Sequence, residues 1–387
     1  MSKPALEVAD ILRAQGKRFI DRYECSFSYQ QLKAFRAVLA CRTAALGGHL
    51  DVCSDCGHQA PISYNSCRNR HCPKCQAQAR ERWLETRQQE LLETDYFHLV
   101  FTVPHELNVF ALTSPRAFYD LLFSSAADTL LEVARNPERL GADIGVLAIL
   151  HTWGQNLLLH PHIHCVVPAG GLSPDRTRWI PTQHRFLLPL PILRKVFRGK
   201  FVAGLRRLHR KGQLPCQGPA AEYADRRNFS QLLRQVHRRR WIVYAKQAMG
   251  GPAQVLRYLG RYTHRIAISN HRLIRFDGER VTFRWKDYAH GSKQRIMTLE
   301  AREFLRRFFL HVLPKGFVRI RHYGLLANRF RNQSVAVARA LLANTDQRLM
   351  TSSTPAQKTT AAVWHCPRCG GPMRVVRRLS SVEIDSS

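Results

Sequence analysis

Two Cys-x2-Cys pairs, Cys53–Cys56 and Cys72–Cys75, stand 15 residues apart and constrain the chain more tightly than any other feature. Each pair turns the backbone into a knuckle that offers two thiolates, and four thiolates at this spacing suit a tetrahedral zinc ribbon with Zn–S bonds of about 2.3 Å. Cys67, His58 and His71 lie inside the loop and Cys41 just before it, so they can exchange with one of the four or build a second site. A site closed by cysteines keeps no open position for a substrate, so this reading assigns the zinc a structural role. A third pair, Cys366-x2-Cys369, supplies half a site near the C-terminus. It needs His365 or ligands from another region, or else it is the remnant of a ribbon.

Charge narrows the partner. Lys and Arg number 60 against 28 Asp and Glu, a formal net charge of +32. Such an excess repels itself in a compact fold unless a polyanion screens it, and nucleic acid is the expected polyanion. Arg68, Arg70 and Lys74 surround the first cysteine cluster and would meet DNA phosphates there. The apolar runs fall short of the roughly 20 residues that span a bilayer. The first residues lack the apolar region of a signal peptide. The expectation is a cytoplasmic, nucleoid-associated protein with no membrane partner. In that compartment 11 cysteines argue for metal rather than disulfides.

Hydrophobic periodicity divides the chain. Leu6, Val8, Ile11 and Leu12, then Leu32, Phe35 and Leu39, fit helices before residue 48. After the cysteines and a charged helix over about 77–94, short β-rich runs appear at Tyr96–Val103, Ile144–His151 and His162–Val167, with a helix over about 115–135. That order predicts an α+β domain with a largely antiparallel sheet. Residues 191–240 read as basic helices, and 241–245 as a strand leading through Gly250-Gly251-Pro252 into a helix of about 252–264. Asp277-Gly278 between two β-rich runs marks a hairpin. A helix over about 298–312 and a strand over 317–322 follow, then a linker-like stretch at 350–362. The boundaries drawn are 1–94 for N-terminal helices and ribbon, 95–345 for the main domain, and 346–387 for linker and Cys-x2-Cys tail.

Two motifs carry chemistry. His162-Ile163-His164 lies in a run of period two, so both imidazoles share one strand face while Ile163, Cys165 and Val167 face the core. Two imidazoles about 6–7 Å apart along a strand can chelate one divalent ion, with a further ligand to complete the set. Gln254, Tyr258 and Tyr262 recur every four residues and share one helical face, beside a stripe of Arg257, Arg261 and Arg265. A tyrosine hydroxyl can attack a phosphodiester and hold the DNA end as phosphotyrosine. Its ordinary pKa of about 10 calls for a metal on the phosphate and for cations to take up developing charge. Taken singly, each motif is also what a solvated histidine pair or an ordinary amphipathic helix would show.

Together, H-hydrophobic-H on a strand and a later helical Y-x3-Y resemble the two-tyrosine HUH endonucleases. The segments CSDCGHQAPISYNSCRNRHCPKCQ, FHLVFTVPHEL, HTWGQNLLLHPHIHCVVPAGG, VLRYLGRYTHRIAIS and RIRHYGLLANR resemble more narrowly the rolling-circle transposases of the bacterial insertion sequence ninety-one family, over almost the full length. The resemblance implies a ferredoxin-like HUH core with an N-terminal zinc-binding domain for the element's DNA ends. It implies Mg²⁺ or Mn²⁺ on His162 and His164, with Tyr258 and Tyr262 as nucleophiles. The third ligand has no fixed place in the motif: Gln254 is preferred over Gln155, and His160 is read as a supporting residue. No G-x4-G-K-[ST] loop occurs, so strand separation falls to a host helicase or replication machinery. A plasmid-type replication initiator or relaxase would share the chemistry. A zinc-dependent DNA-binding regulator would explain the charge and the cysteines but not both motifs.

Overall fold

The computed structural model describes residues 4–75, 91–182, 188–249, 266–288, 290–346 and 364–385, with 81, 83, 84, 254, 255 and 260 between them. The chain opens with helices α1 (Val8–Tyr23) and α2 (Tyr29–Ala40). Ser28 starts α2 with a capping box: its hydroxyl accepts from the Gln31 amide while the Gln31 side chain accepts from the Ser28 amide. Strands β1 (Gly48–Cys53) and β2 (Ser63–Tyr64) follow and pair with each other.

The central layer is built from β3 (Tyr96–Thr102), β4 (Gly145–Trp153), β5 (Leu159–Pro168), β8 (Ile242–Met249) and β12 (Ile320–Gly324). Between β5 and β8 lies the short pair β6 (Gly170–Leu172) and β7 (Trp179–Pro181). Among the described residues the central strands form a five-stranded antiparallel sheet in the order β12-β4-β5-β3-β8. Alternation assigns its faces. Phe97, Leu99 and Phe101, Val146, Ala148 and Leu150, and Ile163, Cys165 and Val167 point into one core. Helices α3 (Asn108–Thr113), α4 (Pro115–Arg135), α5 (Leu190–Arg210) and α6 (Arg226–Arg238) fill that side with Phe118, Leu122, Phe197, Phe201, Phe229 and Leu233. α4 and α5 approach so closely that a Cβ on Gly204 would run into the Leu121 side chain. The other face carries His98, His151, His162 and His164 together with Tyr96, Leu147, Ile149 and Val166. The α+β class and the antiparallel sheet thus follow the pattern of the sequence.

A second core is separate from the one that the helices fill beneath this sheet. Strands β9 (Leu273–Phe276), β10 (Arg280–Asp287) and β11 (Lys293–Glu300) form a three-stranded sheet, and α7 (Ala301–Phe309) follows directly. Asp277-Gly278 makes the expected hairpin: the Asp277 carboxylate accepts from the amides of Glu279 and Arg280, and Gly278 takes φ +99°. Strand β11 occupies residues that gave no strand signal, and the helix expected from 298 begins at Ala301. Phe19, Phe35 and Val38 of α1 and α2 pack with Phe283, Phe304 and Phe309, and Cys41, Cys72 and Cys75 join the same cluster. The N-terminal helices therefore share their core with residues far beyond 94, the boundary drawn from the sequence. Helix α8 (Arg331–Asp346) packs Val335, Ala338 and Leu342 against Leu172 and Leu325. At the end of the chain β13 (Met373–Leu379) pairs with β1, and α9 (Ser381–Asp385) follows.

Candidate metal centre and cysteine clusters

The histidine pair takes the face read for it. Ile163, Cys165 and Val167 are fully buried on the opposite side of β5, and His164 is buried beside a half-buried His162. Antiparallel pairing sets His151 of β4 directly opposite His162. One ring nitrogen from each of His151, His162 and His164 lies within 4.8 Å of the others. The three ring centroids are 4.4–5.4 Å apart. Three nitrogens each about 2.0–2.1 Å from one ion fit inside that spread, so the set matches a divalent-metal cradle. The structure thus brings a third imidazole, that of His151, beside the two that the sequence paired. Gln254 itself is helical and exposed.

The surrounding contacts suit tautomers that leave Nε2 open on both rings. His162 Nδ1 lies 2.6 Å from the His160 carbonyl oxygen, which can only accept. Its proton is therefore on Nδ1, and Nε2 keeps a lone pair. His164 Nδ1 lies 2.8 Å from His98 Nε2. Burial, with Lys246 adding to it, pushes His98 down to about 3, so its ring is neutral and can accept the His164 proton. With His164 donating in that bond, its Nε2 is presented as well. A metal-binding histidine held through its second nitrogen is the usual supporting arrangement, and its loss typically costs 10–100-fold in metal affinity or activity. Trp153 stacks on His151 at 4.7 Å and fixes the third ring. We expect His98→Ala to weaken Mn²⁺ binding at the three histidines by about tenfold or more. A metal-binding titration checks this; an unchanged midpoint would show that His98 only fills space.

Gln155 lies in the β4–β5 turn, where its carbonyl accepts from Arg272, and His160 supports His162 through its backbone. Tyr258, Tyr262, Arg257, Arg261 and Arg265 lie outside the described residues. Val255, three residues before Tyr258, is fully buried against Tyr96, Leu147, Ile149 and Val166. These are residues of the histidine face, so Val255 packs over it.

The cysteines group differently from the ribbon read in the sequence. Cys72 and Cys75 meet Cys41 and Cys67, with Cys41 Sγ 3.5 Å and Cys67 Sγ 3.6 Å from Cys75 Sγ. Sulfurs around one zinc ion at about 2.3 Å stand roughly 3.8 Å apart, close to these separations. Contact with the neighbouring Cys67 brings the Cys41 thiol down to about 7. Cys53 and Cys56 instead face Cys366 and Cys369. The reason is topological: β1 pairs with β13 and carries its cysteines toward the C-terminal strand. Cys41, at the end of α2, is the nearer partner for the second knuckle.

Other candidates divide. His71 stands outside both cysteine groups. Burial pushes it down to about 3, and it lines a pocket with Thr152, Trp153, Ile266, His311 and Arg319. Arg68 is exposed at φ +51°, free to face a phosphate. Arg70 is turned inward and donates to the carbonyls of Pro314 and Phe317, fastening the knuckle to the segment that leads into β12. Lys74 forms a shielded ion pair with Glu7 at 2.6 Å.

The histidine cradle and the cysteine-rich N-terminal module fall within segments that match transposase families. Residues 145–334 match the family described as "Putative transposase", and residues 11–103 match the "Transposase zinc-binding domain" of the IS91 type. The chain belongs to the IS91-type transposases. It is 49% identical to "Putative transposase y4qJ" of Sinorhizobium fredii, over 88% of this chain and 85% of that one. It is 29% identical to "Transposase for insertion sequence element IS801" of Pseudomonas savastanoi pv. phaseolicola, over 78% of this chain and 72% of that one. No solved structure matches the chain. No helix among the described residues is long and apolar enough to cross a membrane.

Proposed function

We propose that this transposase nicks and rejoins single-stranded DNA through covalent 5′-phosphotyrosine links, in a rolling-circle mode of transposition. The observation that carries the reading is the His151, His162 and His164 cradle on the sheet face against which Val255 packs. On the helix expected from the sequence, Tyr258 and Tyr262, three and seven residues after Val255, would share its side. His151, His162 and His164 would hold Mg²⁺ or Mn²⁺. Such an ion polarises the scissile phosphate when bound.

The chain's own groups do the rest. One tyrosine hydroxyl attacks phosphorus, its proton passing to solvent, and a P–O(tyrosine) bond forms as the P–O3′ bond breaks. The departing 3′ oxygen takes up a proton, and Arg257, Arg261 and Arg265 offset charge on the pentavalent phosphorus. Attack by a 3′ hydroxyl on the phosphotyrosine reverses the step and joins strands. Two tyrosines allow a second strand to be cut while the first link persists. Host replication or a helicase would supply the single strand. On this reading residues 95–345 are the catalytic domain, the cysteine-bound module reads the element's ends, and the protein works on the cytoplasmic nucleoid.

The test is to incubate the protein with labelled single-stranded element-end DNA and Mg²⁺ and to map any DNA-bound peptide. We expect a covalent adduct on the peptide that contains Tyr258 and Tyr262, and none from the Tyr258→Phe/Tyr262→Phe protein. An adduct on another residue, or one that survives the double substitution, overturns the nucleophile assignment.

A further inference from the structure

Cys366 and Cys369 complete a site that the sequence leaves half built. Cys53 Sγ lies 3.5 Å from Cys369 Sγ, and Cys56 Sγ lies 3.7 Å from Cys366 Sγ, across 316 and 310 residues of chain. All four sulfurs fall within 4.8 Å of one another. A disulfide needs about 2.05 Å, and all four cysteines are free. Tetrahedral thiolates around zinc stand roughly 3.8 Å apart, which these distances approach.

Both halves fold as the same knuckle. The Asp55 amide donates to Cys53 Sγ at 3.4 Å, and the Arg368 amide to Cys366 Sγ at 3.4 Å. The Gly57 and Gly370 amides close the turns onto the Cys53 and Cys366 carbonyls, at φ +69° and +76°. Backbone amides aimed at sulfur favour the thiolate, the form that binds metal. Backbone bonds lock the halves together. Ser54 donates to the Pro372 carbonyl at 3.0 Å, and β1 and β13 pair from Cys53–Met373 to Gly48–Leu379.

We propose that Cys53, Cys56, Cys366 and Cys369 bind a second structural zinc ion, half from each end of the chain, and that this ion pins the C-terminal segment onto the N-terminal module. The zinc-binding family match ends at residue 103, so it contains only half of this site. Residues between the knuckles, the central sheet included, become a metal-closed loop. β13 is then held at the sheet edge with Arg374, Arg377 and Arg378 exposed along it.

Zinc content per purified full-length chain tests this. Cys366→Ser/Cys369→Ser and Cys53→Ser/Cys56→Ser should each bind one ion fewer than wild type. The four-serine protein should also lose one, because both pairs serve the same ion. Cys366→His, which keeps four ligands, should retain the full complement and guards against simple misfolding of the serine forms. With a protease site inserted within 347–363, the cut 364–387 peptide should co-elute with the zinc-loaded protein and separate from the Cys53→Ser/Cys56→Ser form. Wild-type zinc content in the Cys366→Ser/Cys369→Ser protein, loss of two ions in the four-serine protein, or release of the peptide from the zinc-loaded wild type would each overturn the proposal.

Discussion

The His151→Ala protein is expected to nick single-stranded DNA about a thousandfold more slowly than wild type, while binding that DNA within about twofold. The expected loss corresponds to roughly 4 kcal/mol of transition-state stabilisation, the scale of a metal's charge on a phosphoryl oxygen. His151 is 3% exposed, stands opposite His162 in the β4–β5 ladder, and is clamped by Trp153 stacking. Removing it leaves two imidazoles, and two ligands hold a hard divalent ion weakly. The partner substitution separates the readings: Gln254→Ala should stay within about tenfold of wild type, because Gln254 is exposed. His151→Asp, which offers a carboxylate oxygen suited to Mg²⁺ or Mn²⁺, should regain part of the rate in Mn²⁺. If His151→Ala nicks normally while Gln254→Ala fails, the third ligand is Gln254. If both nick normally, the cradle is not the reaction's metal site.

How far the sequence reached depended on the range of each interaction. The two faces of β5 follow from alternation along one strand, a local rule, so His162 and His164 pair by sequence alone. His151 could not be added, because its place opposite His162 comes from the register between two strands, and no pattern within β4 announces it. The cysteines repeat the lesson. Each Cys-x2-Cys knuckle is legible because its turn is local, but which knuckles share an ion is settled by chain topology. The 15-residue spacing suited a ribbon of Cys53, Cys56, Cys72 and Cys75. Pairing of β1 with a strand more than 300 residues away sorted them otherwise. Strand β11, Lys293–Glu300, was missed because its side chains are mostly exposed and mostly polar. Its eight-residue pairing with β10 holds it in place instead of an apolar face. Arg70 read as a phosphate contact because basic residues beside a zinc site often are. Only the folded chain shows it bonded to the carbonyls of Pro314 and Phe317.

Replacing Cys41 by serine is expected to release one zinc ion and to destabilise the N-terminal unit by about 5 kcal/mol or more, well below the roughly 10–16 kcal/mol that a structural zinc supplies to small domains. Cys41 is fully buried at the end of α2, and its sulfur is 3.5 Å from Cys75. Serine cannot replace the thiolate, and the three remaining sulfurs would face one another without the cation that neutralises them. The damage should spread along a defined route. Cys41, Cys72 and Cys75 belong to the cluster that holds Phe19, Phe35, Phe283, Phe304 and Phe309, and also Trp153 at the end of β4 and Leu157 in the turn before β5. The large core beneath the sheet is built from other residues and contains none of these cysteines. Thermal unfolding should therefore split. An early transition would carry α1, α2, β9–β11 and α7, and a later one, near the wild-type temperature, would carry the sheet and α3–α6. Nicking should fall as well, because Trp153 stacks on His151 and would lose the packing behind it. Hydrogen exchange across the chain reads this directly: fast exchange in residues 8–40 and 273–309 with protection kept in 115–135 and 145–168. A single unchanged transition with wild-type zinc content would show that Cys41 is not a ligand. Uniform loss of protection would show that the two cores fold as one.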